Sequence, residues 1–472
     1  MKKYESTWES LRTYECPKWF ADAKFGIWAH WGAGSTAMYG DWYARRMYEE
    51  GSDQYYHHLK KYGHPSVHGY KDLLEDWKAE NFDPDSLMAK YKKAGARYFM
   101  ALAVHHDNFD NWDSDTHSWN SLNHGPHKNI IAMWKEAAEK AGLPFGVSEH
   151  LGASQLWWKS NKGADKVGPY AGVPYDGNDS NYEELYQPKY GDDDYYFCYS
   201  TNENVARDWN TRINELVAKY KPRMLYTDGP FPYGELGLDV VAKLYNIGAT
   251  ENGTESVYTQ KDIRKEYDIG VLDVERGGLD NIADKPWQTD TCLGDWFYDV
   301  KARYKTARHV IDMIIDASSK NGNLLLSVPL RPDGTIDTEC EHILDDIGKW
   351  LDINGEAIYE TRPWLRFGEG DTLRFFNPLA EKQLDWTHED FHFTKKDDKI
   401  FAFQMKLPPR NRRSVITSFA LSKANPLGEQ IVKEVSLLAD GRKLKFEQTK
   451  SGLEITVPED LDDSMPIVYV II

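Results

Sequence analysis

The feature that most constrains this chain is an alternation of short apolar runs and helical stretches that continues for roughly 330 residues. Lys24–Trp31 (KFGIWAHW) and Ala96–Val104 (ARYFMALAV) read as buried strands. Shorter strands rich in branched or aromatic residues follow at Leu143–Val147, Arg223–Thr227, Glu255–Tyr258 and Asn323–Val328. Between them Pro84–Ala94, Lys128–Lys140, Asn204–Tyr220 and Ala302–Lys320 place apolar residues at helical spacing. The succession predicts parallel βα units closed into a TIM-like (β/α)8-type barrel. After Pro363 the pattern changes to short alternating segments at Thr372–Phe376, Lys399–Met405, Gln430–Leu437, Gly452–Val457 and Pro466–Ile472. Pro, Gly and charged turns separate them, which predicts a C-terminal antiparallel β-sandwich. The expected division is an α/β barrel over 1–360 and a β-sandwich domain over 361–472.

At 472 residues the chain can bury a large core without disulfides or metals. The four cysteines lie far apart with no CxxC pair, so neither a zinc knuckle nor a disulfide scaffold is indicated. The 57 basic residues against 75 acidic ones give a net charge of −18, which argues against nucleic-acid binding. No stretch approaches the roughly 18 to 20 apolar residues that span a bilayer. Met1–Cys16 is polar and lacks the apolar core of a signal peptide. Aromatic residues make up 14% of the chain, with Trp42, Trp112, Trp119, Trp157, Trp158 and Trp287 near predicted loops, where they would serve as sugar platforms.

On a barrel, polar residues at the C-terminal ends of strands are the first catalytic candidates. His30 closes the first strand, and His105, His106 and Asp107 close the next. Glu149 and His150 follow Leu143–Val147, Asp228 ends RMLYT, and Glu275 follows the apolar stretch IGVLDV. Taken singly, each has an ordinary structural explanation, such as the Asp228-Gly229 turn signal. Two chemistries compete for the set. A metal hydrolase is disfavoured, because adjacent residues such as His105 and His106 point to opposite faces of a regular strand. No HxH or HxxxH with a supporting acid occurs at the strand ends, and the acidic run Asp192–Asp194 reads as a solvated loop. Glycoside hydrolysis needs two carboxylates across one bond, hydrogen-bonding side chains for hydroxyls and aromatic surface for the sugar face. Asp228 and Glu275 can supply the carboxylates, and the histidines and tryptophans the rest.

At these residues the sequence resembles glycoside hydrolase family 29, the retaining α-L-fucosidases. Six segments in order carry the resemblance: WFADAKFGIWAHWG (19–32), Asp41-Trp42-Tyr43, His105-His106-Asp107 with NFDNWDSDTHSWNS, PWQTDT (286–291), SKNGNLLLS (319–327) and AIYETRPW (357–364). The resemblance implies a barrel with a β-sandwich, exo-cleavage of terminal α-L-fucose from oligo- or polysaccharides, no cofactor and no metal, and a periplasmic or secreted setting. It places Asp228 as nucleophile and Glu275 as general acid/base, with Asp268 and Asp273 as neighbouring candidates for the second role. It gives His30, Asp41, Trp42, His105, His106 and Trp287 to the sugar, with Lys261 and Arg264 competing for the position of a pocket arginine. Ser148-Glu149-His150 stands where the family usually has a tyrosine-containing stretch. A polar Glu149 or His150 there would suit a hydroxymethyl group, which makes α-L-galactosidase activity the alternative. A third reading is a carbohydrate-binding barrel without catalysis.

Overall fold

Eight parallel strands close on themselves, seven of them buried along their whole length against the barrel interior and against helices, while Val271–Glu275 is partly open on one face. The computed structural model describes residues 3–189, 195–196, 198–250, 255–261, 268–375, 381–409 and 412–472. The barrel comprises β1 Phe25–Ala29, β2 Tyr98–Val104, β3 Phe145–Glu149, β4 Met224–Thr227, β5 Val257–Gln260, β6 Val271–Glu275, β7 Trp287–Cys292 and β8 Gly322–Ser327. Each strand pairs in parallel with the next in sequence, and β8 pairs with β1 to close the cylinder. The six strands expected from apolar runs are present with ends shifted by a few residues. Of the remaining two, β6 is the apolar stretch that leads to Glu275, and β7 carries no apolar signal because Gln288 and Asp290 point into a polar interior. Gln288 donates to Asp273 at 2.7 Å and accepts from Tyr98 at 2.8 Å, while Tyr226 donates to Asp290 at 3.0 Å. These bonds cross the barrel interior and give it a polar layer where apolar packing would be usual.

The expected helices are found as Pro84–Lys93, Ile130–Ala141, Glu203–Tyr220 and Ala307–Ser319. Their starts follow from capping: the Asn129 side chain accepts from the Ala132 amide, and Thr306 accepts from His309. The Thr306 cap begins the last of them five residues later than the apolar spacing implied. Helices Glu235–Thr250 and Thr338–Asn354 were not anticipated and complete the outer layer. Among the described residues no helix is long and apolar enough to cross a membrane.

The C-terminal part forms two antiparallel sheets. Strands β9 Arg362–Glu369, β10 Phe391–Lys396, β11 Lys399–Gln404, β12 Arg413–Ile416, β13 Val435–Leu437, β14 Phe446–Gln448, β15 Leu453–Thr456 and β16 Ile467–Ile471 assemble as β9-β10-β11-β16-β13 and β12-β15-β14. Thr372–Phe375, expected as a strand, is a 3-10 turn. Asp390 draws it in by accepting from the Thr372 amide and hydroxyl. Alternation fixes the packing: Phe391, Phe393, Tyr469 and Ile471 fill the space between the sheets. Phe401, Phe403, Val468 and Val470 join the large core of the barrel, and Trp350 on a barrel helix donates to the Pro466 carbonyl at 2.9 Å. The sandwich is thus a buttress, and from it Glu381 reaches back to Arg276 at 3.0 Å and Lys305 at 3.1 Å.

Candidate active site

The polar residues converge at the C-terminal mouth of the barrel, as parallel strands with a common direction require. His30 follows β1, His105 and His106 follow β2, His150 follows β3, Asp228 follows β4, Lys261 follows β5, and Glu275 ends β6. Four imidazoles make one cluster: ring centroids lie 5.1 Å apart for His30 and His105, 4.5 Å for His105 and His106, 5.0 Å for His105 and His150, and 5.4 Å for His106 and His150. His105 and His106 both reach it because they lie past Val104, where the β2–β3 register shifts and strict pleating no longer applies.

Asp228 stands at the edge of this cluster. Its Oδ2 lies 3.5 Å from both His106 Nε2 and His150 Nδ1, and its Oδ1 accepts from Lys261 Nζ at 2.7 Å. The same ammonium donates to Glu275 Oε2. Two carboxylate oxygens on one ammonium, each at an ordinary charge-assisted distance of about 2.8 Å, are held no more than roughly 5.6 Å apart. That upper bound leaves room for the spacing of about 5 to 5.5 Å at which two carboxyl groups serve a double-displacement glycosidase.

Burial alone would raise the Asp228 carboxyl, but Lys261 and His150 outweigh it and hold it well below the usual carboxylate range. Lys261 is raised in turn, since Asp228, Asp290, Glu275 and Asp273 outweigh its burial. Burial pushes His30 and His105 well below the ordinary imidazole range and His106 down to about 4, so each is neutral at pH 7 and can both donate and accept. Asp41 approaches His105 at 3.9 Å, with its own carboxyl raised by burial and by Asp295.

Aromatic walls surround these groups. Trp157 packs on Trp42, His105 and His106, and Phe297 packs edge-on to His30 and His105. Trp28 and Tyr226 form the floor, 5.0 Å apart, and Trp296 lies against Trp28 and His30. Trp42, 38% exposed and in a left-handed conformation (φ 60°), stands at the rim under the Arg45 and Arg46 guanidinium groups. From it a groove of about 510 Å³ runs outward between Tyr39, Arg46, Arg276, Asp295 and Trp296.

Two sequence assignments do not survive the geometry. Glu149 shares the outward face of β3 with Phe145 and Val147, and its Oε2 accepts from the Leu151 amide and from Trp209 on an outer helix. Burial raises its carboxyl to about 7, but it lines no sugar pocket. Trp287 begins β7 at the opposite end of the barrel, buried against Gly322, with its indole donating to the Lys320 carbonyl. Trp112 and Trp158 are likewise core residues, and Trp119 stacks on His124. The tryptophan that does reach the site from this region is Trp296, which sequence reasoning passed over. Trp28 and Tyr226 were missed as well, although each lies two residues before a recognised strand-end residue and so shares its face. Asp268 pairs with exposed Lys285, and Asp273 lies deeper among the interior polar groups. Arg264 and Asp192–Asp194 lie outside the described residues. The case against metal ligation also changes, since two sets of residues, His30, His105 and His150 or His106, His150 and Asp228, bring ligand atoms within 4.8 Å of one another.

Comparison with known proteins gives this site a lineage. The family model for alpha-L-fucosidase matches residues 1–356. The bovine tissue alpha-L-fucosidase is 27% identical over 94% of this chain and 86% of its own length. The crystal structure of Thermotoga maritima alpha-fucosidase in complex with fucose superimposes with a TM-score of 0.76 at 25% identity, covering all of both chains. The same enzyme in complex with a mechanism-based inhibitor gives a TM-score of 0.78 at 25% identity over 99% of this chain and all of that one. The chain belongs to the alpha-L-fucosidase family, and with that membership it is a glycosidase.

Proposed function

We propose that the enzyme releases terminal α-L-fucose from oligo- or polysaccharides as an exo-acting retaining hydrolase. The observation that carries this reading is the shared contact of Asp228 and Glu275 with Lys261. Asp228, kept ionised, attacks the anomeric carbon while Glu275 delivers a proton to the departing glycosidic oxygen. Glu275 then takes a proton from water, the hydroxide attacks the same carbon, and the bond to Asp228 breaks. Neutral His30, His105 and His106 bind the hydroxyls, with Asp41 and Trp42 at the rim. Phe297 and Trp296 offer an apolar wall to the 6-methyl group. The groove beyond Trp42 takes the leaving group, and its mixed charges suit a hydroxyl-rich saccharide. The complexes of the Thermotoga maritima enzyme with fucose and with a mechanism-based inhibitor support the same assignment.

An L-galactoside reading now depends on His150 alone, because Glu149 faces away. Its observation is the His150 Nε2, buried without a hydrogen-bond partner among the described residues, which a 6-hydroxyl would satisfy. We expect 4-nitrophenyl α-L-fucoside to exceed the α-L-galactoside in kcat/KM by about 10- to 200-fold, the range one extra group in a fitted pocket commands. Proton NMR of the first product should show the α anomer. Initial β-fucose would overturn the retaining mechanism, no turnover of either glycoside would overturn the glycosidase reading, and a faster galactoside would exchange the two substrates.

Glu275→Ala should lower kcat on an unactivated fucosyl oligosaccharide by about 10² to 10⁴. The nitrophenyl fucoside should lose much less in the first step, since its leaving group needs no proton. Added azide should accelerate turnover and give α-L-fucosyl azide. An unaffected oligosaccharide rate would remove Glu275 from the acid/base role.

A further inference from the structure

The two ring nitrogens of His150 have very different surroundings. Nδ1 faces the Asp228 carboxylate at 3.5 Å, while Nε2 is buried with no partner among the described residues, and the same holds for His30 Nδ1. Three rings from three different strand ends, His30, His105 and His150, offer ligand atoms within 4.8 Å of one another. A tetrahedral zinc ion with Zn–N bonds of about 2.0 to 2.1 Å asks for nitrogens about 3.4 Å apart, so closing the set needs movements of roughly an ångström. The side chains stand on the rims of rigid strands and are 2%, 5% and 6% exposed. A carboxylate bonded to the far nitrogen of a ligating histidine is the arrangement that fixes the ring and raises its basicity in known zinc sites.

We propose that His30, His105 and His150 form a binding site for a divalent transition-metal ion of the zinc type, seated in the glycone pocket, so that metal and sugar exclude each other. The imidazole set suits zinc, cobalt(II), nickel or copper and offers nothing to calcium or magnesium, which need oxygen. A water completes the coordination. The ion is an inhibitor: it occupies the nitrogens that the fucose hydroxyls would use. The exclusion half of this proposal rests on the sugar reading of the same pocket, whereas the metal half rests on the histidine geometry alone.

The test uses cobalt(II) and zinc as probes on chelator-treated, full-length enzyme. Cobalt should give the intense visible bands of a tetrahedral nitrogen–oxygen site, saturating near one equivalent, and L-fucose should bleach them. Zinc should inhibit nitrophenyl fucoside hydrolysis competitively, with magnesium inert and chelator restoring the full rate. His150→Phe and, separately, His105→Gln should weaken cobalt binding by at least about tenfold, the low end of what perturbing a metal site costs. Circular dichroism identifies a variant that fails to fold, and the wild-type spectrum stands without either variant. Absence of tetrahedral bands, or cobalt binding unchanged in a folded His150→Phe, overturns the site. Cobalt that fucose does not displace from an enzyme that hydrolyses the fucoside overturns the exclusion. Cobalt binding by an enzyme that turns over no fucoside leaves the metal site standing and removes the fucosidase reading instead.

Discussion

Asp228→Asn should abolish hydrolysis of aryl α-L-fucosides, lowering kcat/KM by roughly four orders of magnitude, the scale on which loss of a covalent nucleophile acts. The amide has the shape of the carboxylate and keeps hydrogen bonds available to Lys261, His106 and His150. It lacks the negative charge and the nucleophilic oxygen pair, so the loss falls on chemistry and leaves binding of free fucose within a few-fold. The electrostatics sharpen the prediction. Because Lys261 and His150 outweigh burial and hold Asp228 well below the usual carboxylate range, its carboxylate stays ionised through mildly acidic pH. Protonation of Asp228 therefore cannot produce an acid limb near pH 5 in the wild-type profile. Asp228→Gly with azide should recover turnover and give β-L-fucosyl azide, the inverted product, since the small anion enters where the carboxylate stood. Wild-type rates in Asp228→Asn, or α-azide from Asp228→Gly, would remove Asp228 from the nucleophile's place.

How far such roles could be read in advance depended on which face a residue occupies. The barrel showed itself wherever strands were apolar on both faces, as in FGIWA and YFMALAV. It disappeared at WQTDTC, because Gln288 and Asp290 point into a polar interior and remove the apolar signal of a strand. Asp228, Glu275 and the histidines were legible as polar residues placed where apolar runs stop. Glu149 follows the same alternation: if His150 points inward, its neighbour on a regular strand points out, so a polar residue at a strand end need not face the pocket. His105 and His106 break that rule only because β2 has already ended. The tryptophans show the limit of composition. Trp287 and Trp296 are nine positions apart, and only the closure of the barrel puts one at its base and the other at its mouth. Lys261 was legible as a candidate but not as the link between the carboxylates, since β5 and β6 carry no mark of how closely their ends approach.

Arg212→Met should destabilise the barrel by about 3 to 5 kcal/mol, the cost of leaving one partner of a buried ion pair alone. Arg212 lies on the inner face of helix Glu203–Tyr220 and is fully buried. Its Nη2 donates to Asp110 at 2.5 Å, and its Nη1 donates to Asn108 at 2.5 Å. Asn108, itself in a left-handed conformation (φ 64°), donates onward to the carbonyls of Glu184 and Leu185. One guanidinium thus fastens an outer helix to the loop that presents His105 and His106, and through Asn108 to the long loop after β3. Methionine fills much of the volume but leaves the Asp110 carboxylate buried and unpaired. Arg212→Lys should recover little, because Asn108 and Asp110 are met by two separate nitrogens of the planar fork, which one ammonium does not reproduce. The thermal midpoint should fall by several degrees in both variants, with fucoside hydrolysis at low temperature reduced far less than stability. The double variant Arg212→Met with Asp110→Leu separates pairing from packing. With both buried charges removed it should be more stable than Arg212→Met alone, since the one carboxylate that still loses its partner, Asp208 at 3.4 Å, is half exposed. Additive losses in the double variant would mean that the two residues stabilise the barrel through separate contacts and not as a pair.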